Sequence, residues 1–158
     1  VDVGGGSTEI AVGTLDGVRW CASAPVGSRT LCETCGLDDP PTADQLAVVE
    51  RRAAEALAGL ACPHAPSLAL AAGGSATTTA RLVGPDLTPE ALERVLTMLR
   101  AAPATQVAAR YNLDPRRARV LPAGLIVLRA AEEALGTPLR IGAGGLREGV
   151  VLDLLARG

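Results

Sequence analysis

The chain has 158 residues, of which 48% are apolar and 20% charged, with 18 Gly and 11 Pro. That is the composition of one folded domain able to bury its own core, and it excludes bulk disorder and a disulfide-stapled miniprotein. Fifteen basic residues against seventeen acidic ones leave a formal charge of -2, every basic residue is Arg, and Trp20 and Tyr111 are the only aromatics. A broad nucleic-acid face, a Walker or Schiff-base lysine and an aromatic base-stacking platform are therefore excluded, and the core must be Leu, Val, Ile and Ala.

In chain order, Val1–Val3, Glu9–Leu15 and Val18–Pro25 read as a meander of strands, broken by Gly4-Gly5-Gly6 and by Asp16-Gly17, a two-residue hairpin signal. Val1-Asp2-Val3 reads as the middle of a strand without a start, so the chain is expected to be one domain of a longer protein. A loop rich in turn formers follows. Thr42 with Gln45 three residues on forms a capping box, and Leu46, Val49, Ala53, Leu57 and Leu60 fall on one helical face, so a helix is expected to end near Leu60. Ser67–Ala72 has strand length, and Gly73-Gly74 delivers the chain into a helix over Ala76–Leu82. Thr88-Pro89-Glu90 starts another helix carrying Leu92, Val95, Leu96 and Leu99. Asp114-Pro115 repeats that start ahead of Arg116, Arg117 and Arg119, and the helix runs through Leu125–Leu135 to a stop at Gly136. Pro138–Ile141 reads as a last strand, and Gly142–Gly145 leads into a terminal helix with Leu146, Val150, Val151 and Leu154 on one side. No run approaches the roughly 18 to 20 apolar residues of a membrane span, and no signal peptide opens the chain, so we expect a cytoplasmic protein without a membrane partner.

Cys32-Glu33-Thr34-Cys35-Gly36 has the spacing of half a zinc knuckle, but the second half is missing. Cys62-Pro63-His64 could complete a ligand set only through long-range geometry, so reduced thiols are expected at Cys21, Cys32, Cys35 and Cys62. His64, in a proline-flanked loop, reads as a surface residue.

Three glycine clusters follow apolar strands: Gly4-Gly5-Gly6-Ser7, Gly73-Gly74-Ser75 and Gly142-Ala143-Gly144-Gly145. Glycine turns the backbone sharply and lets N–H groups approach an anion closely. None is a Rossmann or Walker loop, since Gly6 leads into a strand and Gly74 precedes no Lys-Ser or Lys-Thr pair. In Asp2-Val3-Gly4-Gly5-Gly6-Ser7-Thr8-Glu9 a carboxylate ends one strand and a second begins the return strand, an arrangement suited to phosphate with Mg²⁺. Gly4, Gly5, Gly6 and Ser7 are the candidate phosphate donors, and Asp2 and Glu9 the candidate catalytic carboxylates, holding a hydrated metal or orienting a water. Gly73, Gly74 and Ser75 are a secondary phosphate or nucleotide contact. Arg116, Arg117 and Arg147 are candidate rim cations.

Residues Asp2–Glu9 resemble the second phosphate motif of the exopolyphosphatase and guanosine pentaphosphate phosphohydrolase family, within the actin-like ATPase superfamily. Ala72–Thr78 resembles its later glycine-threonine segment, Leu121–Leu128 its long helix entry, and Gly144–Val150 its final motif. The resemblance implies two ribonuclease H-like lobes around a cleft, of which this chain is the C-terminal lobe, an α/β unit with a mixed sheet and flanking helices. The first phosphate loop and the family's proposed catalytic glutamate would belong to the absent N-terminal lobe. Three positions depart from the family pattern: Thr30 stands where an arginine is usual, with Arg29 displaced by one; Gly142 and Ala143 replace a serine and an acid; Arg119 replaces a frequent acidic residue.

The expectation is part of a Mg²⁺-dependent exopolyphosphatase-type hydrolase that removes terminal phosphate from inorganic polyphosphate or guanosine pentaphosphate, inactive as the isolated chain. Its rivals are a non-catalytic polyphosphate or alarmone binding module and a sugar or acetate kinase lobe. The oligomeric state stays open, a homodimer among the arrangements.

Overall fold

Along the second strand, Thr8 and Ile10 are buried while Glu9 and Ala11 are exposed, the two-residue alternation of a sheet with one covered face. In this computed structural model, which describes residues 1–158 apart from Ala61, His64, Ala143 and Gly158 and the side chains of Leu146 and Arg147, that strand is the middle of a meander. β1 (Asp2–Val3), β2 (Thr8–Thr14) and β3 (Gly17–Ala24) pair antiparallel in that order. Thr14 pairs with Gly17, so Leu15 and Asp16 form the hairpin loop, one residue earlier than the Asp16-Gly17 pair expected from sequence, and the register shifts between Val12 and Gly13. A bulge of this kind moves the pairing by one residue without changing which faces are buried upstream of it.

β4 (Ala69–Ala71) and β5 (Leu139–Ile141) pair in parallel. A parallel bridge from Asp2 to Ala72, with Ala72 N–H donating to Val1 O at 2.7 Å, sets β1 beside β4. Antiparallel and parallel strands thus meet along one line, the mixed α/β sheet that was expected.

Among the described residues seven helices surround these strands. α1 (Ser28–Thr34) and α5 (Ala104–Tyr111) occupy stretches with no helix expected from sequence. α2 (Ala43–Ala58) begins on the expected capping box: Gln45 N–H donates to Thr42 Oγ1 at 3.3 Å and Thr42 N–H to Gln45 Oε1 at 3.0 Å. α3 (Gly73–Val83) starts three residues before the expected Ala76, with both glycines inside its first turn. α4 (Pro89–Ala101) and α6 (Pro115–Leu135) begin on Thr88 and Asp114, whose side chains accept from Ala91 N–H and Arg116 N–H.

α6 is the hub, packed against α1, α2, α3, α4 and α5. Leu121, Leu125, Ile126, Val127 and Leu128 are at most 1% exposed, because a helix surrounded by others must be apolar on every side. Gly124 is the reason two helices can approach it so closely. A Cβ there would lie 2.2 Å from Ser75 Oγ on α3 and 3.3 Å from Ser28 Cβ on α1. On the far side Arg129 ties α6 to Glu50 of α2. α7 (Leu146–Arg157) leaves its apolar residues in water, from Val150 at 51% to Leu155 at 74% exposed, so the side expected to be covered has no cover within these residues. No helix is long and apolar enough to cross a membrane among the described residues.

Candidate phosphate-binding site

Gly4-Gly5-Gly6 bends the chain from β1 to β2, and Gly4 N–H closes the bend onto Ser7 O at 3.0 Å. This corrects one expectation: the Gly4 amide is occupied within the turn, so it cannot donate to an anion there. The carbonyls point toward α1, where Ser28 N–H donates to Gly4 O at 3.0 Å and Arg29 and Thr30 N–H both donate to Gly5 O at 2.9 Å. Three of α1's four orphan amides are thereby satisfied by the glycine turn instead of a capping side chain. The close approach requires Gly27, since a Cβ on it would stand 2.6 Å from the Gly5 carbonyl carbon. The N–H groups of Gly5 and Gly6 donate to nothing among the described residues.

The first turn of α3 meets the same turn from the other side. Its N-cap, Ala72, makes no side-chain cap hydrogen bond, so the leading amides of the helix lack a capping side chain at its positive end, where the Asp2 carboxylate stands beside Gly73. Gly73 has φ +87, and a Cβ on it would fall 2.3 Å from Asp2 Oδ1, which leaves only glycine able to fit between the Asp2 carboxylate and the start of the helix. A cavity of about 160 Å³ lies between the two, lined by Val3, Gly4, Gly5, Ser28, Gly74 and Ser75, with Arg117, Val120 and Leu121.

That cavity shares Gly5, Ser28, Arg117 and Val120 with a cleft of about 1110 Å³ between α1 and the start of α6. Arg29, Arg116, Arg117 and Arg119 line the cleft, with Glu33 as its one acid among the described residues. None of these arginines has an ion-pair partner among the described residues. Arg117 lies over the start of α3, its Nη1 3.5 Å from where a Gly74 Cβ would be, and Arg29 lies along Gly5. Arg119 is held inward: Nη1 donates to Cys32 Sγ at 3.1 Å and Nη2 donates to Leu37 O. Burial pushes the Cys32 thiol above its ordinary range, and the Arg119 guanidinium opposes that shift.

The structure brings together Gly5, Gly74, Ser75, Arg116 and Arg117 of the sequence candidates, with Asp2 at the edge beside Gly73. Gly6 and Ser7 belong to the turn without lining either cavity. Glu9 stands directly opposite Asp2 across the β1–β2 pair, a register that places both on one face of the sheet. It is exposed, accepts a hydrogen bond from Ser23 Oγ at 2.9 Å, and lines neither cavity. The side chain of Arg147 and all of His64 lie outside the described residues. Sequence reasoning missed Arg29 and Arg119 as site residues. Reading Ser28–Thr34 as loop hid Arg29, whereas Arg119 was legible from its spacing, one helical turn beyond Arg116 on the same face.

A glycine bend, a helix N-terminus and a row of guanidiniums are gathered beside the mixed sheet of an α/β fold. The chain matches the model of the Ppx/GppA phosphatase family over residues 1–158, and it belongs to that family. It is 34% identical over 164 aligned residues to "Exopolyphosphatase 2" of two Mycobacterium tuberculosis strains, CDC 1551 / Oshkosh and ATCC 25618 / H37Rv, covering 91% of this chain and 48% of each relative. Among solved structures it superposes on an Aquifex aeolicus Ppx/GppA phosphatase with a TM-score of 0.84 at 28% identity, over 96% of this chain and 55% of that one. It shares the fold of a Cytophaga hutchinsonii exopolyphosphatase, with a TM-score of 0.80 at 18% identity, over 98% of this chain and 55% of that one. The chain thus spans about half the length of the relatives it matches.

Proposed function

We propose that this chain is the phosphate-gripping half of an exopolyphosphatase-type phosphohydrolase that releases terminal phosphate from inorganic polyphosphate or guanosine pentaphosphate. The observation that carries the reading is the row of four arginines without acidic ion-pair partners among the described residues, lining a cleft that joins the glycine-turn cavity. In a chain with a formal charge of -2, so local a concentration of positive charge suits a polyanion with several phosphates in a row. The 160 Å³ cavity takes the terminal phosphoryl group, with Gly5 N–H, the start of α3 and Arg117 as donors. Preceding phosphates lie along Arg29, Arg116 and Arg119. Among the described residues no aromatic side chain lines either cavity, which favours the linear polyphosphate over the purine nucleotide.

Mg²⁺ fits this reading as an ion carried in with the phosphates. Among the described residues no three His, Cys, Asp or Glu side chains cluster, and Asp2 with Glu9 offers the one or two carboxylates Mg²⁺ uses beside substrate oxygens and water. Asp2 would hold it at the edge of the cavity. When bound, the ion neutralises charge that develops on the phosphoryl oxygens.

The rest of the intact protein is proposed to be an N-terminal lobe that closes the cleft and supplies the base, so the 158-residue chain alone is expected to bind without turnover. The test is tripolyphosphate binding to the chain by calorimetry, together with phosphate release by the full-length protein. Binding that weakens as salt rises and is lost in Arg117→Gln, with release only in the full-length protein, supports the reading. Binding unaffected by Arg117→Gln refutes the site, and binding without turnover in the full-length protein favours a non-catalytic module.

A further inference from the structure

We propose that Cys32, on the wall of the arginine-lined cleft, and Cys35, three residues further on, are a reversible dithiol–disulfide site, oxidised by a low-molecular-weight disulfide and poised by Arg119. The thiol chemistry stands apart from the phosphohydrolase reading; only its competition with a polyanion rests on it.

The two residues lie three apart at the end of α1, so both face one side of the helix with Cβ atoms about 5–6 Å apart. A disulfide needs about 3.5–4.5 Å, and the movement required falls where the chain can supply it. Cys35 is the C-cap residue, and Gly36 after it has φ +59, so the last turn tightens without disturbing the amides that bind the glycine turn at the other end. Neither cysteine is bridged in this structure.

The environments of the two thiols assign them different parts. Cys35 is half-buried, and Cys32 is buried while still lining the cleft. Cys35 is therefore the entry point for a small oxidant. Its thiolate attacks one sulfur of the oxidant R–S–S–R, forming a mixed disulfide and expelling RS⁻. The Cys32 sulfur then attacks Cys35 Sγ, breaking the mixed disulfide and expelling the second RS⁻. Two electrons pass from the protein thiols to the small disulfide, and the two thiol protons end on the two RSH products.

Arg119 is the control on the second step. Its Nη1 donates to Cys32 Sγ at 3.1 Å, which favours the thiolate against the burial that disfavours it. The same guanidinium lines the cleft. A polyanion bound there draws Arg119 toward itself, so bound anion and attacking thiolate compete for one cation.

The experiment incubates the 158-residue chain with glutathione disulfide, quenches with an alkylating agent and follows the tryptic peptide from Thr30 to Arg51 by mass spectrometry. A dithiol-reversible Cys32–Cys35 cystine is expected, with Cys32→Ser trapping the glutathione adduct on Cys35 and Cys35→Ser blocking reaction at Cys32. Arg119→Gln is expected to slow ring closure about tenfold, the effect of losing a neighbouring cation, and Arg119→Lys to restore much of it; far-UV circular dichroism checks that each variant folds. Failure to form the Cys32–Cys35 cystine, or closure at the same rate in a folded Arg119→Gln, overturns the proposal. Saturating tripolyphosphate is expected to slow closure to the Arg119→Gln rate; if it does not, the polyanion reading of the cleft falls while the thiol site stands.

Discussion

Gly27→Ala tests how tightly α1 is seated on the glycine turn. The backbone at Gly27 is extended, with φ -150 and ψ 167, so alanine brings no conformational strain and its effect is steric. The new Cβ would stand 2.6 Å from Gly5 C and 2.7 Å from both Gly5 O and Gly6 N, roughly 1 Å inside the separation of about 3.5–4.0 Å that carbon contacts favour. All three atoms are backbone and cannot rotate away. Relief requires the turn and the helix to part, which stretches the bonds from Ser28 N–H to Gly4 O and from Arg29 and Thr30 N–H to Gly5 O, now 2.9 to 3.0 Å. Overpacking costs about 1–3 kcal/mol, and each weakened hydrogen bond up to about 1 kcal/mol more, so a loss of about 3 kcal/mol is expected. For a chain of this size that lowers Tm by roughly 6–12 °C in a thermal melt followed by circular dichroism. Gly149→Ala is the control: nothing lies within 4 Å of its Cβ, and helix propensity should raise stability by up to about 1 kcal/mol. A Gly27→Ala chain melting within about 2 °C of its parent would show that α1 does not depend on this contact.

Glu9→Gln keeps an acceptor for Ser23 Oγ, so the melt should move by no more than about 0.5 kcal/mol, whereas phosphate release by the full-length protein should fall sharply; full turnover at saturating Mg²⁺ would remove Glu9 from the chemistry. Asp114→Ala deletes the acceptor of Arg116 N–H at 2.7 Å and is expected to cost about 1 kcal/mol in a urea melt, with an unchanged midpoint counting against the cap. In the native chain, iodoacetamide should modify the exposed Cys21 at least about tenfold faster than the buried Cys32, whose raised thiol moves its reaction to higher pH; equal rates would contradict that environment. Metal analysis of chain purified without chelator should find no zinc, and one zinc per chain would show Cys32 and Cys35 to be ligands.

The sequence spelled out its elements wherever local chemistry decides them. Thr42 with Gln45, Thr88-Pro89 and Asp114-Pro115 announce helix starts that the structure places at the same residues, because a cap satisfies orphan amides with groups only two or three positions away. α1 was illegible for the converse reason. Its amides are satisfied by Gly4 O and Gly5 O, more than twenty residues upstream, and no local pattern reports so distant a partner. The glycines of Gly73–Ser75 read as a turn because their helical role depends on Asp2 filling the space beside them. The hairpin loop moved by one residue through an irregularity at Val12 and Gly13 that alternation cannot reveal. In the site, glycine and arginine were visible as types, but their grouping was set by α6, whose first turn carries Arg116 and Arg117 to the turn that Arg29 reaches from α1.

In the proposed enzyme, the open side of that grouping would make gripping and cleaving separable. A pair of unit charges about 4 Å apart is worth roughly 1 kcal/mol in bulk water and about 4 kcal/mol at the lower effective dielectric of a protein surface. Four arginines facing a cleft of about 1110 Å³ would therefore hold a polyanion weakly while water fills the space, and salt would erode that hold further. In-line attack asks more of them: the terminal phosphorus must be fixed relative to one water and the leaving oxygen, in a site dry enough for the guanidiniums to act at full strength. Closure from the opposite side by the proposed lobe would raise affinity and rate together, since both draw on the same drop in dielectric. Within this half, the arginines form one wall and the glycine turn the floor, and α1 joins them through backbone hydrogen bonds that no substituent larger than the hydrogen of Gly27 leaves room for.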